Sequence, residues 1–243
     1  MDLVLFIYDH VLNFLRIALP IATIILSIII FAKKDSGPKL LALYCLLMSC
    51  SDLAGSFTSR MAMVSVEAYS RATLTNSFIK FILIAAALIS LGIYAKRRYG
   101  SKANITIPCV YIAAQLSGRI VNLVAHSVIQ GKARPELMQT LFVSSTISLV
   151  LAIIPYIVLL CVLCKHSKKE TQFPHLWKIM LLIVTAESLV IASTILGMYE
   201  KMQDYVRSDR TILLVELSPL ATILLRLGLA IYILRHVKSK KEE

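Results

Sequence analysis

Charge is scarce in this chain. Of its 243 residues 16% are charged against 58% hydrophobic, and the mean hydropathy is +0.76. A soluble globular domain cannot cover a wetted surface with so little charge, so the bilayer is the expected solvent. Other absences narrow the class further. The apolar runs lack the two-residue alternation of barrel strands, and an open strand in lipid would leave backbone polar groups unpaired, which excludes strands. There is no HExxH, no nucleophile elbow, no cluster of intramembrane histidines and no aspartate-rich motif, so a membrane enzyme has the least support.

What is present is a series of long apolar runs. They lie at about residues 12–32, 40–60, 72–95, 104–130, 138–164, 176–199 and 211–234. Each exceeds or approaches the ~20 residues that carry a helix across ~30 Å of hydrocarbon. The expected fold is all-α: a single transmembrane domain over 1–243 with seven transmembrane helices, short connections and no room for a soluble catalytic domain. The first run lacks a basic start and a small-residue cleavage site, and is read as a permanent helix.

The net charge of +12 would suit nucleic acid, but its distribution excludes that partner. Lys33, Lys34 and Lys39 follow the first span; Lys96, Arg97, Arg98 and Lys102 follow the third. Lys165, Lys168, Lys169 and Lys178 surround the fifth-to-sixth connection, and Arg235, Lys238, Lys240 and Lys241 follow the seventh. Basic residues at the other ends, such as Arg60, Arg71 and Arg207, are balanced by acids such as Glu67, Glu136 and Asp204. The basic side is the expected cytoplasmic side, with the N-terminus outside and the C-terminus in the cytoplasm. Its lysines set topology and meet anionic lipid headgroups, in a cell (plasma) membrane. Cys45, Cys50, Cys109, Cys161 and Cys164 all fall in helices or at their cytoplasmic ends, so no outer disulfide is expected. Cys161 and Cys164 near His166 and His175 make a weak metal pattern that core packing or palmitoylation explains better; no metal or cofactor is implied.

Shifted by about 135 residues, the chain matches itself. Pro20 meets Pro155, Lys33-Lys34 meet Lys168-Lys169, Asp52 meets Glu187, and Pro38 meets Pro174 within one residue. Tyr69 and Arg71 then meet Tyr205 and Arg207, and Ile93-Tyr94 meets Ile231-Tyr232. This predicts a 3+1+3 parallel repeat: repeat A at about 12–98, a linker helix at about 104–130 and repeat B at about 138–236. Shared basic loops and apolar spans would by themselves produce several of these matches.

With these features the chain resembles the SWEET sugar facilitators and their PQ-loop relatives, seven-helix proteins built as three plus one plus three. In that family four prolines form a cytoplasmic gate, and Pro20, Pro38, Pro155 and Pro174 are the matching positions. Thr73-Leu74-Thr75-Asn76, followed by Tyr94-Ala95-Lys96, is similar to the family's third helix, whose asparagine contacts substrate. KHSKKETQFP, from Lys165 to Pro174, is similar to its fifth-to-sixth connection. The family's seventh-helix asparagine has no counterpart, and Glu216 stands nearest to it in the repeat frame.

Inside the spans sit Asp52, Lys80, Arg119, Glu187, Glu216 and Arg226, with Arg16 able to snorkel outward. A charge at mid-bilayer costs about 2.5–3.5 kcal/mol on insertion scales, so these groups should face the bundle interior and find partners or water. Counting from the basic ends puts Asp52, Lys80 and Arg119 about 20 Å up, and Glu187 and Arg226 about 12–16 Å up, which predicts two clusters. Either Asp52 with Lys80 or Arg119, and Glu187 with Arg226, line a solvated path and exchange partners, or they are static pairs fixing helix register. Pro20 and Pro155 remove backbone hydrogen bonds and should kink their helices, as hinges or as shape.

Two function classes are open. The first is transport of a small solute by alternating access, with Asp52, Asn76, Glu187 and Glu216 near a small-molecule or ion ligand and the prolines as gate. The second is a seven-helix receptor or sensor. Ser49-Cys50-Ser51-Asp52-Leu53 resembles the second-helix acidic site of rhodopsin-like receptors, whose seventh-helix Asn-Pro pair and sixth-helix Trp-Pro pattern are absent. A retinal protein is disfavoured because the seventh helix has no lysine for a Schiff base. Association with a second copy or a cytoplasmic partner stays open.

Overall fold

The computed structural model describes residues 3–33, 37–61, 66–100, 106–116, 135–166, 172–204 and 209–239. Among these residues the chain is all-helical, in seven helices: α1 (Leu3–Phe31), α2 (Gly37–Met61), α3 (Val66–Tyr99), α4 (Thr106–Leu116), α5 (Pro135–His166), α6 (Leu176–Asp204) and α7 (Asp209–Ser239). All but α4 contain a stretch long and apolar enough to cross a membrane: His10–Phe31, Pro38–Ser56, Thr75–Tyr99, Phe142–His166, Leu176–Glu200 and Thr211–Val237. The expected fourth span is described over 106–116, and Arg119 lies outside the described residues.

Local chemistry sets the helix ends. Lys96, Arg97 and Arg98 occupy the last turn of α3, where cations meet the negative end of the helix dipole. Gly100 then takes φ 67° and donates its N–H to the Lys96 carbonyl at 2.9 Å, an end that L side chains rarely adopt. Proline is tolerated in the first turn, where no intrahelical N–H partner is needed, and there stand Pro135 of α5 and Pro38 of α2. Pro20, Pro155 and Pro219 sit instead inside α1, α5 and α7.

The helices pack as α1 on α2 and α7, α2 on α3, α3 on α5, α5 on α6, α6 on α7, and α2 on α7. Ring contacts align their basic ends. Tyr99 at the end of α3 stacks on His166 at the end of α5, with centroids 5.0 Å apart. Before α6, Phe173 packs on Tyr232 and His236 of α7, and the Tyr232 hydroxyl accepts the His175 N–H at 3.0 Å.

Burial is inverted relative to a water-soluble bundle. Ile21, Ile25, Ile28 and Ile29 on α1, and Ile82 and Ile89 on α3, lie on the outside at helical spacing. Arg226 is inside, 3% exposed. Such an apolar exterior is stable only against lipid. The core is concentrated in the basic half: Leu41, Tyr44 and Cys45 of α2, Leu88, Leu91 and Ala95 of α3, Ile107 of α4, Leu159 and Leu163 of α5, Met180 and Ile183 of α6, and Leu229 and Ile233 of α7. Towards the other end, α6 and α7 meet through small polar contacts, Ser193 with Ser218 at 2.9 Å and Thr211 donating to Glu200 at 2.7 Å, the kind of interhelical hydrogen bond favoured in lipid.

Candidate solute-binding cavity

Above the packed basic half lies a cavity of about 520 Å³, lined by residues from α2 to α7. Each helix turns one face to it. α2 supplies Met48, Ser51 and Asp52; α3 supplies Asn76, Lys80 and Ile84; α6 supplies Glu187, Val190 and Ile191; α7 supplies Pro219, Thr222 and Arg226. These three- and four-residue steps are the repeat of a helical face, so each charged group is aimed inward by its register. The volume lies within the ~300–1,000 Å³ of small-molecule pockets.

The electrostatic centre is Arg226. One guanidinium nitrogen donates to Asp52 Oδ2 at 2.7 Å, and the other terminal nitrogen donates to Glu187 Oε1. The Arg226 side chain is 4% exposed, and those of Asp52 and Glu187 are 23% and 17% exposed. The expected Glu187–Arg226 pair is therefore present, but Asp52 also joins Arg226 and is not within ion-pair distance of Lys80. Among the described residues the two clusters predicted from depth are not separate: Asp52 joins Glu187 on Arg226, since counting along straight axes does not carry the relative heights that packing sets. Tyr44, fully buried, and Tyr156, 5% exposed, flank this triad on its basic side, and the Cys45 thiol donates to the Arg226 carbonyl at 3.9 Å.

Lys80 lines the same cavity with no hydrogen bond or ion pair among the described residues. It reaches across to α2 at Gly55, where a Cβ would stand 2.5 Å from the lysine Nζ; glycine makes room for the ammonium. One turn away on α3, Asn76 Oδ1 is buried without a hydrogen-bond partner among the described residues.

Glu216 is elsewhere. It is outside the cavity lining and takes Arg16 of α1 as partner, which donates to its carboxylate and, at 2.8 Å, to its backbone carbonyl. Arg16, expected to be able to snorkel outward, forms an α1–α7 cross-link near Pro219, whose missing N–H leaves the neighbouring Val215 carbonyl without its helical donor. None of the four gate prolines lines the cavity. Pro38 is buried at the start of α2 and Pro174 is exposed before α6, both at the basic end; Pro20 and Pro155 are buried within their helices. Pro219 and Thr222, with Thr222 donating to the Pro219 carbonyl at 2.8 Å, escape a reading by charge alone. Their signal in the sequence is their i, i+3, i+7 relation to Arg226.

No family model, curated protein or solved structure matches this chain. Function must be argued from the cavity. Among the described residues no three His, Cys, Asp or Glu side chains stand together as metal ligands. The available chemistry is ionic and hydrogen-bonding: one guanidinium shared by two carboxylates, one separate ammonium, the side-chain amides of Asn76 and Gln115 and the hydroxyls of Ser51, Ser77 and Thr222, set among apolar side chains at mid-bundle.

Proposed function

We propose that the protein carries a small solute across the membrane by alternating access between two three-helix units, α1–α3 and α5–α7, about the mid-bundle cavity. The observation that carries this reading is the cavity itself, ringed by six helices, charged within and separated from the basic end by the packed core. Carrier sites lie near the midplane between repeats, where each state seals one side.

The helix neighbours support the two-unit reading. Exchanging α1 with α5, α2 with α6 and α3 with α7 turns α1–α2 into α5–α6, α2–α3 into α6–α7, and α1–α7 into α3–α5, and all six pairs are in contact. The α2–α7 contact breaks the pattern, since its counterpart α3–α6 is not among the substantial contacts of the described residues. A carrier caught in one state has this asymmetry, with one pair of units' edges closed and the other apart. Asp52 and Glu187, which the repeat equates, both converge on Arg226, so a single cation is positioned to be traded between the two units. On this reading the basic end is cytoplasmic and closed in the present conformation.

Flux into proteoliposomes containing the purified protein tests the proposal, with sugars, amino acids and inorganic ions as solutes. Uptake of one class above empty liposomes, reduced at least about tenfold by Glu187→Gln in protein that remains monodisperse, is the expected result. A receptor or sensor would instead bind a ligand with no net flux.

A further inference from the structure

The cavity has a charge pattern that selects among solutes. Arg226 already has two carboxylates, so the triad with Asp52 and Glu187 carries one net negative charge. Lys80 carries the balancing positive charge, within electrostatic reach of Asp52 but with no ion pair or hydrogen bond among the described residues. Among the described residues the lining therefore sums to zero, with a negative group at the α2–α6–α7 junction and a positive one at the Lys80 ammonium, which α3 carries to the Gly55 face of α2. Beside the positive pole, Asn76 holds a buried side-chain oxygen with no partner among the described residues.

A half-buried ammonium and a buried amide oxygen, neither with a hydrogen-bond partner among the described residues, are costly in a low-dielectric chamber unless water or ligand satisfies them. An anion alone would satisfy Lys80 but leave the chamber with a net charge; a cation alone would do the same at the other pole. A solute carrying both charges keeps the total at zero and meets both poles. The geometry points to a zwitterionic amino acid as the ligand: its carboxylate on the Lys80 ammonium, its ammonium towards the outer oxygens of Asp52 and Glu187, and the Asn76 amide beside the carboxylate end. Gly55 belongs to this site, because any side chain there would displace the ammonium. The inference rests on the cavity being a solute site, as the transport reading holds, and adds which solute.

The test is binding, measured separately from flux. The common amino acids are screened one by one for thermal stabilisation of the purified protein in nanodiscs, each beside its amino-acid amide, which lacks the carboxylate, and its 2-hydroxy acid, which lacks the ammonium. At least one amino acid is expected to bind, its amide and its hydroxy acid each about tenfold or more weaker, as loss of a charge-assisted contact requires. Lys80→Gln should abolish that preference for the carboxylate, Lys80→Arg should retain it, and Asn76→Ala should weaken binding in a background where Lys80 is intact. The site assignment is overturned if no amino acid binds, if amides bind as tightly as their parents, or if Lys80→Gln binds unchanged while remaining monodisperse. The two proposals fail separately: amino-acid binding without flux removes the carrier and leaves the site, whereas flux of a sugar without amino-acid binding removes the site and leaves the carrier.

Discussion

The molecule holds two arginine–carboxylate contacts of opposite design. At the cavity, Arg226 is almost wholly buried and bonded to carboxylates from two other helices. Between α1 and α7, Arg16 meets the single carboxylate of Glu216, and the two side chains stay 26% and 35% exposed. Position in the helix pack decides the difference. α7 presents Arg226 to α2 and α6 in the interior, whereas Glu216, ten residues earlier, faces α1 alone at the margin. A marginal pair can relax towards the headgroups when one member is lost. The interior triad cannot, so it ties α2, α6 and α7 together and fixes the charge of the chamber.

The sharpest way to break this contrast is to remove the shared cation. Arg226→Met leaves Asp52 and Glu187 facing one another without the cation that both contact, and loss of one partner from a buried ionic group costs about 3–5 kcal/mol. Thermal unfolding in detergent should show a large drop or little folded protein. Neutralising both acids in the same chain, Asp52→Asn with Glu187→Gln and Arg226→Met, should recover much of that loss, because a buried ionic cluster replaced as a whole is close to neutral in stability. If the triple variant were no more stable than Arg226→Met, electrostatics would not be what the triad contributes.

Single acid removal comes next. Glu187→Gln and Asp52→Asn each leave Arg226 with one carboxylate, and each should cost roughly 1.5–3 kcal/mol, the usual worth of a hydrogen bond to a charged group. Because both acids accept from the same guanidinium, the double variant should depart from additivity by about 1 kcal/mol or more in a double-mutant cycle. Additive losses would mean that the two carboxylates act independently.

The sequence makes the membrane character and helix positions legible for a simple reason: lipid demands about twenty apolar residues in a row, and no tertiary context alters that requirement. The inward aim of Asp52, Lys80, Glu187 and Arg226 follows from the same cost argument, which says only that charges avoid lipid. Which charge meets which is legible only in part: the expected Glu187–Arg226 pair is present, but the second acid on Arg226 is not foreseen. Arg226 takes Asp52 as well as Glu187, and Lys80 has no ion pair among the described residues, because pairing depends on how α2 packs against α7, which leaves no mark in residue spacing. Glu216 illustrates the same limit: its place in the repeat frame pointed to the cavity, while its register on α7 turns it to Arg16. Pro219 and Thr222 are legible only after Arg226 has named the inward face of α7.

At the marginal pair the same substitutions should matter less. Glu216→Gln removes one half-exposed partner and leaves Arg16 its bond to the Glu216 backbone carbonyl, so the expected loss is about 1 kcal/mol or less. A loss as large as that of Glu187→Gln would erase the distinction between interior and margin.

The smallest stability effect is expected at Gly55. A methyl group there would stand 2.5 Å from Lys80 Nζ, but the atom it meets is the tip of a flexible side chain, which can swing aside. Gly55→Ala should therefore leave the melting temperature nearly unchanged, helped by the better helix propensity of alanine, worth up to about 1 kcal/mol in a helix interior. What changes is where the ammonium stands. Displaced from α2, Lys80 moves further into the chamber and towards the Asp52 carboxylate, closing the gap between the two poles. An accessible-amine reagent read out by mass spectrometry should then report altered labelling of Lys80 in folded Gly55→Ala protein. Unaltered labelling would show that the ammonium does not depend on the space glycine leaves, and that the separation of Lys80 from the triad has another cause.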